Sequence, residues 1–235
     1  MIEADKRGPL AAFWRWFAER EVRRAFRGVY VGGAPPPSER SVLVYANHRS
    51  WWDGFAVHTA FRALGLEPYA AMDEANLERF RFLRRIGAFS IRPGDPRSAV
   101  QSFRYAHRLL ARPRSAVIVF PEGELRPGAV APLRLSRGIA ALAAMTQARC
   151  VPVAFRYAFF ENERPDLLVC FGAGHEAAPL ARFEEGLNEV VTKVDEVQRP
   201  DQYTCLVEGT LSPAERWRRA RARPPQLSPS SGGRA

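Results

Sequence analysis

The feature that most constrains the fold is a run of five consecutive apolar residues at positions 116–120. The run is short and does not alternate with polar residues, which suits a strand that is covered on both faces. Similar short runs occur at residues 41–46, 68–72, 88–91, 150–156 and 167–172, and segments with helical periodicity separate most of them. We therefore predict an α/β fold with a mostly parallel central sheet flanked by helices.

Polar side chains stand where three of the predicted strands end. His48 and Asp53 follow one strand, Arg92 follows another, and Glu122 follows the apolar run itself. In parallel sheets, ligands bind at the C-terminal ends of the strands. We therefore expect these four side chains at one rim of the sheet.

His48 and Asp53 form a candidate acid–base pair. A neutral imidazole can accept a proton from a hydroxyl, while a nearby carboxylate fixes its tautomer and stabilises the imidazolium that forms. A single pair with this spacing is more often ordinary turn chemistry, so other motifs must decide between the two interpretations. We expect the other three histidines, His58, His107 and His175, to be structural.

Four motifs follow one another along the chain, and they are Asn47-His48 with Asp53, Gly87 to Arg92, Phe120-Pro121-Glu122-Gly123 and Val151-Pro152-Val153, with a basic-Gly helix start at 136–140. A His and an Asp five residues apart are a weak signal, whereas four ordered motifs on the expected elements are a strong one. Together they make the sequence resemble the lysophospholipid/glycerol-phosphate acyltransferase superfamily, the family of bacterial 1-acylglycerol-3-phosphate acyltransferases. Their order and spacing agree with the family over residues 28–175.

The resemblance implies direct transfer of a fatty acyl group from a thioester to a hydroxyl of a lipid acceptor, without an acyl-enzyme. It makes His48 the general base and Asp53 its orienting partner. The expected donor is acyl-coenzyme A or acyl carrier protein, and we expect no cofactor and no metal. Three widely spaced cysteines give no zinc or disulfide pattern. The residues expected to bind the acceptor are Arg92, Glu122, Gly123, Arg126 and Arg137.

The third motif departs from the family pattern. The usual continuation is Gly-Thr-Arg-Ser, and the resemblance associates its Arg with the acceptor phosphate, whereas this chain has Gly123-Glu124-Leu125-Arg126. A glutamate beside a phosphate is repulsive unless it is neutralised. Two alternatives stay open. Either Arg126 reaches the phosphate from its shifted position with help from Arg92 and Arg137, or the acceptor is an uncharged hydroxyl lipid.

The N-terminal segment has the pattern of an amphipathic helix over residues 10–27. Its aromatic face, with arginines around it, is typical of a helix at a membrane interface, although the same face could instead cover the core. We expect residues 1–9 to fray. We assign residues 1–27 to an N-terminal amphipathic, membrane-associating helix, residues 28–211 to an acyltransferase domain, and residues 212–235 to a basic, disordered tail.

The formal net charge of +10 favours an anionic partner. Basic and acidic segments alternate, which indicates a polarised surface. We expect peripheral attachment to an anionic membrane at its cytoplasmic face, without a transmembrane helix, because no apolar run approaches the roughly 18 residues that a span needs. The alternative is a basic nucleic-acid-binding or scaffold protein. No nucleic-acid-binding motif supports it, so we expect no nucleic acid as a partner.

Overall fold

The computed structural model of the protein describes residues 1–92, 94–128 and 131–212, together with Trp217 and Arg221. Two short 3₁₀ helices, Arg81–Ile86 and Pro200–Gln202, accompany the main elements. The α-helices and β-strands are, in chain order, α1 (Gly8–Ala25), β1 (Gly28–Gly33), β2 (Val42–Ala46), α2 (Asp53–Ala63), β3 (Glu67–Asp73), α3 (Glu74–Arg79), β4 (Ala88–Ile91), α4 (Pro96–Leu110), β5 (Ser115–Val119), α5 (Gly138–Thr146), β6 (Cys150–Ala158), β7 (Asp166–Phe171), α6 (Leu180–Asp195) and β8 (Thr204–Glu208).

Within the described residues, the strands form one sheet in the order β4-β3-β5-β2-β6-β7-β1-β8. The pairings from β4 through β6 are parallel, as is the pairing of β1 with β7. β7 runs antiparallel to β6, and β8 runs antiparallel to β1. The short connection at residues 159–165 explains the β6–β7 pairing, because parallel neighbours need a longer crossover. The predicted α/β fold with a mostly parallel sheet is confirmed.

Helices cover both faces of the sheet. On one face, residues of α1 and α2 pack with Val42 and Val44 of β2 in a single core cluster. On the other face, residues of α4, α5 and α6 pack with Leu43 and Tyr45 of the same strand. Burial on both faces explains why the central strands are continuously apolar.

Two segments differ from the predicted pattern. The helical segment between the strands predicted at 68–72 and 88–91 is divided into α3 and a 3₁₀ helix at Phe80, whose backbone leaves the helical region (φ −115°, ψ 56°). Gly87 ends this segment with φ +116°, and a Cβ there would lie 2.4 Å from the carbonyl oxygen of Pro68, so only glycine fits. Strand β8 was not predicted, because its mostly exposed residues lack a clear alternation.

The expectation that residues 1–9 fray is wrong. The amide of Ile2 donates to Ser90 Oγ at 2.6 Å, and the amide of Ser90 donates to the Ile2 carbonyl at 2.8 Å. The amide of Ala4 donates to the Tyr105 hydroxyl at 3.1 Å. These bonds hold the segment beside β4, where it covers the outer strand of the sheet.

Helix α1 divides its large side chains between core and solvent. Trp14 and Phe17 are partly buried against the core, whereas Leu10, Phe13 and Trp16 are about half exposed. None of the helices in the described part of the chain is long and apolar enough to span a bilayer. The predicted disordered tail falls, apart from Ser212, Trp217 and Arg221, outside the described residues.

Candidate active site

Strand β2 delivers His48 to the rim of the sheet through the buried side chain of Asn47. Asn47 Nδ2 donates to the Phe155 carbonyl at 3.0 Å, and Asn47 Oδ1 accepts from the Phe155 amide at 2.7 Å. The side chain thus continues the pairing with β6 just beyond the last residue of β2. This fixes the point at which the chain leaves the sheet, and His48 comes next.

The loop after β5 holds the backbone of His48 from both sides. The His48 amide donates to Glu122 Oε1 at 2.9 Å, and the His48 carbonyl accepts from the Arg126 amide at 2.8 Å. The Phe120 ring stacks on the imidazole with a centroid distance of 4.4 Å and an interplanar angle of 22°. The first and third sequence motifs therefore meet at the adjacent strands β2 and β5.

Asp53 is fully buried at the first residue of α2 and accepts four hydrogen bonds. Oδ2 accepts from His48 Nδ1 at 2.6 Å and from the amides of Arg49 and Ser50 at 2.9 and 3.0 Å. Oδ1 accepts from the Tyr157 hydroxyl at 2.5 Å. The N-terminus of a helix favours a negative charge, which adds to these contacts.

The bonds to Asp53 decide which nitrogen of His48 carries the proton. Because Oδ2 already accepts from two backbone amides, it acts as an acceptor toward Nδ1 as well. Nδ1 is therefore the protonated nitrogen, and Nε2 keeps its lone pair. The His48 side chain is 27% exposed, so a substrate can reach it, while Asp53 is shielded from water. The pair can take a proton from a hydroxyl at Nε2.

Glu122 and Gly123 form a turn beside the imidazole. The Gly123 amide donates to the Phe120 carbonyl at 3.1 Å, and Gly123 has φ +80°, a conformation that favours glycine. The turn directs Glu122 toward His48. Among the residues that the structure describes, no group hydrogen-bonds to the buried Oε2 atom of Glu122. Glu122 thus holds the His48 backbone through one oxygen and buries the other.

Two of the three predicted arginines already have carboxylate partners. Arg92 follows β4, three strand positions from β2, which is about 14 Å at the usual strand spacing. Its Nε donates to Glu74 Oε1 at 2.7 Å. Arg126 donates to Glu124 Oε1 at 2.8 and 2.5 Å. Both guanidinium groups are thus paired with carboxylates.

Arg137, the third arginine, is exposed just before α5. The neighbouring Ser136 amide donates to the Pro121 carbonyl at 2.8 Å. This bond keeps the start of α5 beside the turn that contains Glu122. Arg137 therefore lies on the surface next to the third motif.

Sequence reasoning missed Tyr157, which supplies the donor to Asp53 Oδ1. Burial, followed by the charge of Asp53, raises the pKa of Tyr157 well above its ordinary value, so the hydroxyl stays protonated. Tyr157 lies four residues beyond Val153 of the fourth motif, and both side chains pack on the same face of the sheet. That period-two spacing was a usable signal.

Sequence reasoning also missed an ion pair inside the first motif. Arg49 donates through both terminal nitrogens to the two oxygens of Asp195, each at 3.0 Å. Asp195 is the last residue of α6. The pair therefore ties that helix to the loop that carries His48. Nothing in the sequence pairs residues so far apart along the chain.

Comparisons with known proteins place this chain in a family. A family model described as Acyltransferase matches residues 28–156, which is more than half of the chain. The chain is 24% identical over 195 residues to 1-acyl-sn-glycerol-3-phosphate acyltransferase of Streptococcus pneumoniae, covering 77% of this chain and 69% of that relative. Its fold is similar to the crystal structure of PlsC, the 1-acyl-sn-glycerophosphate (LPA) acyltransferase of Thermotoga maritima. The TM-score is 0.57 at 18% identity, with 79% of this chain and 78% of that chain covered. The chain belongs to the acyltransferase family.

Proposed function

We propose that this acyltransferase moves a fatty acyl group from an acyl thioester to the hydroxyl of a lipid acceptor. The observation that carries the proposal is the 2.6 Å hydrogen bond between His48 Nδ1 and Asp53 Oδ2 at the rim of the sheet. It leaves Nε2 of a partly exposed imidazole free to act as a base. The donor is acyl-coenzyme A or acyl carrier protein.

The reaction is a direct displacement. His48 Nε2 takes the proton of the acceptor hydroxyl as its oxygen attacks the thioester carbonyl. Asp53 stabilises the imidazolium that forms. The carbon–sulfur bond then breaks, the ester bond remains, and the imidazolium returns the proton to the departing thiolate. The step needs no nucleophilic side chain.

Glu122 positions the acceptor in this proposal. Its Oε1 is held by the His48 amide, while its buried Oε2 has no partner among the described residues. By holding the His48 amide, Glu122 fixes the imidazole against which the acceptor hydroxyl is placed. Gly123 keeps the turn in shape, and Arg137 is the neighbouring cation on the surface.

We also propose peripheral binding to the cytoplasmic face of an anionic membrane. Phe13 and Trp16 of α1 and Trp51 of the first motif are about half exposed. A series of ring contacts connects α1 to the active-site loop. Trp14 stacks on Phe82 at 4.5 Å, Phe82 contacts Phe55 at 6.4 Å, and Phe55 contacts Trp51 at 5.2 Å.

Sedimentation with phosphatidylglycerol vesicles tests the membrane proposal. We expect a variant with Phe13→Ser and Trp16→Ser to partition at least about tenfold less, because burying one aromatic side chain contributes about 1.5–3 kcal/mol. Phe159→Ser is the matched control, since Phe159 is 70% exposed in the loop after β6. Unchanged partitioning of the double variant would show that the exposed face of α1 does not bind membranes.

The catalytic proposal is tested by incubating the purified chain with palmitoyl-coenzyme A and a panel of hydroxyl lipids. Thiol release is followed continuously, and mass spectrometry identifies the acylated lipid. We expect acceptor-dependent thiol release that matches ester formation and is lost in His48→Ala. Absence of any ester, or an ester formed equally by the variant, would overturn the proposal.

A further inference from the structure

The charges along the rim of the sheet bear on which acceptor the site takes. Two of the three arginines that a phosphate would require already have carboxylate partners. Arg126 is paired with Glu124 two residues away, and Arg92 is paired with Glu74 at the start of α3. A guanidinium that is satisfied by a carboxylate offers little net charge to a second anion.

The Arg92–Glu74 pair is held in place by further contacts. The side chain of Glu74 is only 8% exposed, and its Oε2 accepts from the Ser90 hydroxyl at 2.7 Å. The Ser90 hydroxyl, followed by the Arg92 guanidinium, lowers the pKa of Glu74, so the carboxylate stays charged. Moving Arg92 onto a phosphate would leave the Glu74 carboxylate with the N-terminal ammonium of Met1, 3.5 Å from Oε2, as its remaining counter-charge, which is unfavourable. Arg92 therefore stays paired with Glu74.

An open depression of about 530 Å³ lies where β3 and β4 end, at the same edge of the sheet as His48 and Glu122. Its size suits the head group of a small ligand. Against the single arginine, Arg92, it presents four carboxylates, so a phosphate dianion there would meet more negative than positive charge. The carboxylates are those of Asp73, Glu74, Glu78 and Asp95.

Most of these carboxylates already accept hydrogen bonds from the protein, so the depression does not need a bound cation either. Asp73 caps α3 by accepting from the Asn76 amide, and Asp95 caps α4 by accepting from the Arg97 and Ser98 amides. Carboxylates with unused lone pairs remain good acceptors for the hydroxyl groups of a polyol or sugar. The surface that results is polar and carries more negative than positive charge.

The third motif adds an apolar side chain to this rim. Leu125 is 44% exposed between the paired residues Glu124 and Arg126. An apolar side chain gains nothing beside a phosphate but can contact the carbon skeleton of an uncharged head group. Arg137, which lies beside the third motif, does not line the depression.

Building on the proposed function, we propose that the acceptor is a lipid with an uncharged, hydroxyl-bearing head group, such as a glycerol or a sugar, and not a lysophosphatidic acid. The hydroxyl is activated by His48 as described above. The rest of the head group lies beside Leu125 and the Glu124–Arg126 pair, and a larger head group such as a sugar extends toward the acidic depression. The acyl chemistry is unchanged, and only the recognised head group differs.

The experiment compares two acceptors that differ only in the phosphate, 1-oleoylglycerol and 1-oleoylglycerol-3-phosphate, in phosphatidylcholine vesicles. A sugar-headed lipid is added as a third acceptor. We expect kcat/KM for the uncharged acceptors to exceed that for the phosphate by at least tenfold. An equal or higher value for the phosphate would overturn this inference and leave the proposed function intact. No His48-dependent ester with any of the three would overturn the proposed function itself.

A charge variant tests the physical reason. Glu124→Gln removes one carboxylate and frees Arg126, so the ratio of kcat/KM for the phosphate to that for 1-oleoylglycerol should rise at least threefold. Glu161→Gln, at an exposed acid in the loop after β6, is the matched control and should leave the ratio unchanged. An unchanged ratio in Glu124→Gln would refute the electrostatic argument.

Discussion

Replacing Tyr157 by phenylalanine removes the hydroxyl that donates to the buried carboxylate of Asp53. The hydroxyl donates to Asp53 Oδ1 at 2.5 Å, while the other three donors all reach Oδ2. The ring would stay in place against Phe26, at a centroid distance of 5.5 Å. The variant therefore leaves Oδ1 buried without this donor and also removes the interaction of the hydroxyl with the Ser50 side chain.

The size of the effect follows from the charge of the acceptor. A hydrogen bond to a charged group contributes about 1.5–3 kcal/mol. If the whole loss fell on the transition state, kcat would drop by about 10- to 150-fold, at 1.36 kcal/mol per factor of ten. We expect about tenfold, because the three bonds to Oδ2 remain and still hold the carboxylate beside His48. KM for the thioester should change much less, since Tyr157 contacts Asp53 and not the donor.

The assay is steady-state thiol release at saturating acceptor, with kcat and KM fitted separately. Tyr45→Phe is the matched control, because its buried hydroxyl bonds His175 Nε2 at 2.8 Å on the other face of the sheet. That control should lose stability but retain kcat within about twofold, as expected for a neutral hydrogen bond remote from the reaction. Equal kcat in Tyr157→Phe and the wild type would refute the orienting role of Tyr157.

Two further predictions concern the packing around the site. Asp195→Asn weakens the bidentate pair with Arg49, whose side chain is only 13% exposed, so stability should fall by about 1–3 kcal/mol. The melting temperature should drop by about 2–4 °C for each kcal/mol lost, and an unchanged melting curve would contradict the role of the pair. Burial lowers the pKa of His58 from its ordinary 6.5 to about 3, so the folded state requires the neutral ring. Stability should therefore be lost as the pH falls from 6.5 toward 3, because the unfolded state binds the proton first. Urea unfolding at pH 7 and pH 5 should show this loss in the wild type and less of it in His58→Gln, and equal losses in both would contradict the assignment.

The fold was largely predictable because buried strands appear in the sequence as runs of apolar residues. The strands covered on both faces, such as β2 and β5, are continuously apolar and were placed within a residue or two of their observed ends. Strand β8 was missed because an outer strand needs little apolar surface, and only Val207 in it is buried. The contacts of residues 1–5 with β4 were missed because backbone amides make most of them, and these leave no sequence pattern.

The site was predictable to the extent that its residues lie next to strand ends. His48, Asp53 and Glu122 come together because β2 and β5 are neighbours in the sheet, which the order of the motifs already suggested. The carboxylate partners of Arg92 and Arg126 were not predictable, since side-chain pairing depends on which groups the loops bring within reach. That pairing now favours an uncharged acceptor over a phosphate.

The most direct test of the central claim is the acceptor-dependent turnover rate of His48→Ala relative to the wild type. The measurement should be made under saturating thioester, with circular dichroism confirming that the variant is folded. General-base catalysis contributes about 10²- to 10⁴-fold, so the account predicts a loss of that size with little change in thioester binding. A folded variant that retains its rate within tenfold would contradict the assignment of His48 as the base.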